Sequence, residues 1–212
     1  VTLSKRALRR FEQEDEQEII DFTIGCTAHV QSLLLPEIIR KLVAVHPNLH
    51  PKILTLPITQ LLNRVEEGTV QIALGLKTDI KKGSLTYREF KKIPVICVYQ
   101  KDHPFTAKDS VLMEDLKSSK LILYHPRTIS LEIIHLQNKL SESRKLSDLY
   151  FCESEETTLI LVQAGLGVAI LLDIFLSDTF GTEGNFNDLK KCRIADADEH
   201  SFGYYYKNLS GN

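Results

Sequence analysis

The chain has 212 residues, 43% apolar and 25% charged, proportions of a globular protein with a real core, which excludes a disordered chain. Its 26 Lys and Arg stand against 28 Asp and Glu, a net charge of -2, which excludes the basic surface needed to grip DNA unaided. No apolar run reaches the roughly 18 to 20 residues of a membrane span, no signal peptide is visible, and Val1 reads as a cut point, so a soluble, cytoplasmic protein is expected.

Residues 1–20 read as a helix with Leu3, Ala7, Leu8 and Phe11 at helical spacing and a heavily charged opposite face. From Asp21 onward, short β-rich runs alternate with amphipathic helices, the signature of parallel βα units and an α/β class. The first unit is strand Phe22–Cys26, a polar turn and a helix through Leu33–His46, with Pro36 in its first turn. A second has strand Lys52–Leu56, turn Pro57–Thr59 and helix Gln60–Glu67, ended by Gly68 as a left-handed cap, before strand Gln71–Leu76. A charged loop at Lys77–Ser84 follows. Beyond it, Ile93–Tyr99, Lys120–Tyr124, Leu149–Glu153, Val168–Leu172 and Phe202–Lys207 read as strands, and Leu131–Ser141 and Glu155–Ala164 as helices. The length leaves one domain or two small lobes open.

Enzyme signatures are absent: there is no G-x-S-x-G elbow, H-E-x-x-H helix or phosphate loop, and Gly165-Leu166-Gly167 follows a helix where a phosphate loop must precede one. Gly165 reads as a helix cap. Cys26, Cys97, Cys152 and Cys192 form no C-x-x-C pair and read as reduced, buried thiols. His46, His50, His103, His135 and His200 share no metal-ligand spacing, so neither a metal nor a cofactor is expected.

The positive signal lies in polar turns at the carboxyl ends of strands, where open α/β sheets place ligands. Thr27-Ala28-His29 follows Cys26 and opens a helix, whose N–H groups and dipole favour an anion. His125-Pro126-Arg127-Thr128 follows Tyr124, and Arg127 can fork two hydrogen bonds onto a carboxylate. Glu153-Ser154-Glu155 follows Cys152. Each has a plain structural alternative: Ser154 and Thr128 as helix caps, His29 at the surface, and Arg127 paired with a neighbouring carboxylate.

The stretch FTIGCTAHVQSLLLPEIIRKLVAVHPNLHPKILT resembles the opening of the effector domain of LysR-type transcription regulators. The resemblance continues through LLNRVEEGTVQIALG, VYQKDHPF, VLMEDLKSSKLILY and TTLILVQAGLGVAILL, with Gln71 at a commonly Asp position and Leu172 at a frequent Pro. It spans about residues 20–207 and implies a two-lobed type-2 periplasmic-binding-protein-like fold, with crossing strands near Cys97–Gln100 and Ala195–Ser201. The implied division is a linker-helix end at 1–20, lobe I at 21–97 and 201–212, and lobe II at 98–200.

The same resemblance implies effector contacts at Thr27, Ala28 and His29, at Pro57 and Ile58, at Tyr99, and at Pro126, Arg127 and Thr128; Ser154 joins them from the strand-end argument. The expected partners are a small anionic effector such as a carboxylate, and a second copy in a homodimer or homotetramer. Antiparallel pairing would use a helix such as Leu33–Val45, with Ile38, Ile39, Leu42 and Val45. DNA contact would run through an N-terminal winged helix-turn-helix outside these residues. A type-2 solute-binding protein of a transport system, or an enzyme built on the same cleft, are the competing readings.

Overall fold

The computed structural model describes residues 19–27, 35–77, 84–124, 131–142, 144–174 and 186–208. The expected lead-in helix at 1–20 falls almost wholly outside them. Two mixed sheets organise the rest. The first holds β1 (Ile20–Cys26), β2 (Leu49–Thr55), β3 (Ile72–Leu76), β4 (Leu85–Ile93) and β11 (His200–Lys207), in the order β2-β1-β3-β11-β4. The second holds β5 (Val95–Gln100), β6 (Ser110–Val111), β7 (Leu121–Tyr124), β8 (Leu149–Cys152), β9 (Val168–Leu172) and β10 (Leu189–Ile194), in the order β6-β10-β5-β9-β7-β8. Helices α1 (Leu35–Val45), α2 (Ile58–Glu67), α3 (Leu131–Ser141) and α4 (Glu155–Gln163) complete the framework.

Alternation along the strands explains the layering. In the first sheet, Ile24, Cys26, Leu74 and Phe202 point to one face with Leu35 of α1, while Ala73 and Tyr205 point to the other with Leu61, Leu62 and Val65 of α2. An added Cβ on Gly25 would lie 2.5 Å from Leu61 Cδ2, so the missing side chain is what lets α2 seat against β1. Gly68 caps α2 at φ 80°, its N–H donating back to Val65 O at 3.1 Å, as its place after Glu67 predicts. The second sheet divides likewise, with Cys97, Tyr99, Leu121, Leu123 and Ile170 on one face and Ile96, Val98, Ile122 and Ala169 on the other, against Val162 of α4.

Two strand readings need correction. Ile93–Tyr99 is not one strand: it breaks at Pro94, which has no N–H for a ladder, so β4 ends in the first sheet and β5 starts in the second. The crossing therefore lies at Pro94 and not at Cys97–Gln100, while the return crossing occupies 195–199, close to the expected place. The sequence reading also omits β4, whose LTYREFKKI is charged because its middle is exposed, the two-residue β6, and β10. At the junction, Asp173 N–H donates to Pro94 O at 3.0 Å, Lys77 N–H to Ser201 O at 2.9 Å, and Ile174 inserts into the core of the first sheet.

Candidate functional site

The carboxyl ends of β1, β2 and β3 meet at one rim of the first sheet. Leu56 N–H donates to Cys26 O at 3.1 Å, drawing the turn after β2 against the turn after β1. A Cβ placed on Gly75 would lie 3.2 Å from Ile58 Cδ1 and 3.6 Å from Thr27 Cγ2, so Thr27 and Ile58 converge over a position that has no side chain. Pro57 precedes α2 as its N-cap residue, without a side-chain cap bond. Thr27, Pro57 and Ile58 are all half-buried, able to wall a site and still be reached. Ala28 and His29, expected beside them, lie outside the described residues.

The matching rim of the second sheet is made by β7 and β8, which pair in parallel with Tyr124 opposite Cys152. Gln137, almost fully buried in α3, donates from Nε2 to Tyr124 O at 2.7 Å and fixes the last residue of β7. After β8, Ser154 caps α4 in a reciprocal box: its Oγ accepts from Thr157 N at 3.1 Å and its own N–H donates to Thr157 Oγ1 at 3.3 Å. The hydroxyl of Ser154 thus caps α4. Pro126, Arg127 and Thr128 lie outside the described residues.

Tyr99 sits elsewhere than expected. It is 2% exposed within the core of the second sheet, its hydroxyl donates to Phe105 O at 3.2 Å, and its ring meets Phe105 edge-on. Burial raises its pKa. Placed by its position in β5, it reads as a crossover residue; by its surroundings it is a core residue, because period-2 alternation turns it to the same face as Cys97.

Sequence reasoning names Glu155 in the turn after Leu149–Glu153 but gives it no role of its own. Burial, with Glu156 beside it, pushes its carboxyl up to about 7, and its charge in turn helps raise Tyr124. It stands at the first position of α4, next to the rim. Cys26, Cys97, Cys152 and Cys192 are free and buried, as expected. Burial lifts the Cys26 thiol to about 11 and also raises Cys97 and Cys192, so these are poor nucleophiles. Among the described residues no group of three or more His, Cys, Asp or Glu could hold a metal, and no helix is long and apolar enough to cross a membrane.

The family model of the LysR substrate binding domain matches residues 18–185. No curated protein sequence matches the chain. Among solved structures, the BenM effector binding domain with its effector benzoate is similar at a TM-score of 0.74 and 19% identity, over 92% of this chain and 87% of that one. HinK, a LysR family transcriptional regulator from Pseudomonas aeruginosa, is similar at a TM-score of 0.74 and 17% identity, over 97% of this chain and 70% of that one. The reduced OxyR regulatory domain from Pseudomonas aeruginosa is similar at 0.70 and 18%, over 90% of each chain. Those structures share the fold with this chain, two sheets joined by paired crossings in the type-2 periplasmic-binding-protein-like manner. With the family model spanning most of the chain, from before β1 to beyond β9, this protein belongs to the LysR substrate binding domain family.

Proposed function

We propose that this domain is the sensing and pairing module of a cytoplasmic transcription regulator, binding a small carboxylate between its two strand-end rims. The observation that carries the reading is the convergence of Thr27 and Ile58 over Gly75 on the first rim, in a chain of this family. Open α/β sheets take ligands at the carboxyl ends of their strands, and Thr27 and Ile58 stand half-buried at such an end. On the opposite rim, α4 begins with Glu155 and Glu156, which complement its own dipole and would repel an anion. Anion capture is therefore assigned to the Thr27–His29 turn and to the guanidinium of Arg127, while Ser154 positions α4. Tyr99, enclosed in the core, takes no part.

The BenM effector binding domain is described with benzoate; for this chain, carboxylates of that size are the first compounds to test. No catalytic group is assigned to the rims, and the family is one of regulators, which favours sensing over transport or catalysis. Pairing would join opposite sheets of two copies. Edge strand β2 and α1 expose Ile38, Val45 and Ile53, and edge strand β8 and α4 expose Phe151 and Ile160. Apolar patches on two sheet edges suit antiparallel association, in which each copy presents one patch of each kind. DNA would be reached through a winged helix-turn-helix joined ahead of β1.

A thermal-shift screen of the purified domain against small aliphatic and aromatic carboxylates, amino acids and sugar phosphates tests the sensing claim. A ligand present at about 100 times its dissociation constant adds roughly 2.7 kcal/mol to the folded state. A carboxylate should raise the melting temperature, and Arg127→Ala or Thr27→Val should abolish the shift. A shift produced only by sugar phosphates, or the lack of any carboxylate whose shift the two substitutions abolish, would contradict the assignment.

A further inference from the structure

A cavity of about 600 Å³ opens on the first sheet at the opposite ends of the strands from Thr27 and Ile58. Phe22 of β1, Ile72 of β3 and Tyr204 and Tyr206 of β11 wall it, with Arg88 of β4 and Lys207 at its margin. The arrangement follows from register: Arg88 stands directly across the β4–β11 pair from Tyr204, so guanidinium and phenol share one face. The rings form a row, Phe90 to Tyr204 at 4.9 Å and Tyr204 to Tyr206 at 5.7 Å between centroids. Phe90, at the end of the row, is half exposed, an unusual surplus of ring surface on an outer strand.

The charge on this face is not consumed internally. Among the described residues Arg88 has neither a hydrogen-bond acceptor nor an acidic partner for its side chain, and the hydroxyls of Tyr204 and Tyr206 likewise have none. Lys207 is held at the rim by donating to Glu66 O at 2.8 Å, which leaves its other N–H groups directed elsewhere. We propose that this cavity is a second ligand site, separate from the strand-end rims, which takes a planar aromatic carboxylate with its ring against Tyr204 and Phe22 and its carboxylate on Arg88. A guanidinium fork fits a carboxylate in two parallel hydrogen bonds. Apolar and aromatic walls favour a flat ring over a hydrated phosphate or sugar, whose polar groups would find few partners there.

The chain has no tryptophan, so a fluorescent ligand is read against a background of tyrosine only. Titration of the purified domain with 2-naphthoate, with 2-naphthylmethanol as its uncharged counterpart, tests the proposal. Saturable binding of 2-naphthoate is expected, weakened about tenfold or more by Arg88→Ala or by Tyr204→Ala, partly restored by Arg88→Lys, and unaffected by Thr27→Val. The uncharged counterpart should bind about tenfold or more weakly. Arg88 is exposed, so its variants keep the fold, which an unchanged melting curve verifies. Binding indifferent to Arg88→Ala, or lost in Thr27→Val, would overturn the proposal. So would a failure of 2-naphthoate to bind accompanied by an Arg88→Glu variant that shifts from dimer to monomer in sedimentation, since the face would then be an interface between copies.

Discussion

At the scale of the residue, polar groups drawn out of water are given work by their neighbours. Gln71 is a case in point: its Oε1 accepts from Thr23 N at 2.7 Å and its Nε2 donates to Gly68 O at 3.0 Å. An aspartate could accept the first bond but not donate the second, so the amide ties β1 to the cap of α2 in a way a carboxylate cannot. Glu155 is the opposite case, a carboxyl that burial leaves at about 7 in place of its ordinary 4.5. A folded-state pKa raised above the unfolded one means that the native state holds its proton longer. Stability contributed by the protonated group is present below about pH 4.5, falls as the pH rises through the window up to about 7, and is level above it. Glu155→Gln should therefore remove the part of the decline across that window that belongs to this group, leaving the variant the more stable protein at pH 8. Urea melts at pH 5 and pH 8 measure this, and an identical pH slope in both proteins would show that the carboxyl is not held in the buried state described.

At the scale of the element, hydrophobic alternation and turn chemistry make most of the sheet legible in the sequence alone. Phe22–Cys26, Val168–Leu172 and the cap at Gly68 stand where their patterns place them, because each is decided locally, by side-chain period or by a residue that tolerates positive φ. The failures are equally physical. β4 is stabilised by pairing with β11 along its length, a long-range ladder that TYREFKK cannot announce, because most of its side chains are exposed. Pro94 hides inside an apolar run and divides it between two sheets, and Tyr99 reads as a wall of the site until the pleat is seen to turn it inward. Of the candidate site, Thr27, Pro57 and Ile58 are legible as strand-end turns, whereas the cavity beside Arg88 is not, since its walls come from strands distant in sequence. The exposed apolar edges belong to this scale too. Val45→Asp on α1 and Ile160→Asp on α4 each place a charge in the proposed pairing surface, and each should shift the domain from dimer toward monomer in sedimentation velocity without lowering its melting temperature by more than a few degrees. A dimer unmoved by both would place the contact on another surface.

At the scale of the whole molecule, two sheets with separate cores are joined only by the crossings at Pro94 and 195–199 and by the segment carrying Asp173 and Ile174, among the described residues. Leu172 packs against both cores, and the Lys191–Asp173 ion pair, 2.7 Å long and mostly buried, braces the second sheet beside the junction. Such a frame suits a sensor: a ligand that touches both rims binds one relative placement of the sheets better than another and shifts the population toward it, by no more than its differential affinity. In the proposed pairing, association of copies through opposite sheets would transmit that shift. In the proposed sensor, one ligand engages both rims at once. Hydrogen–deuterium exchange of the domain, with and without a carboxylate that raises its melting temperature, tests this most directly. Slowed exchange is predicted together around Thr27 and Ile58, after β1 and β2, and in residues 125–128, which follow β7; protection confined to one sheet, or appearing only at the far end around Tyr204 and Arg88, would contradict it.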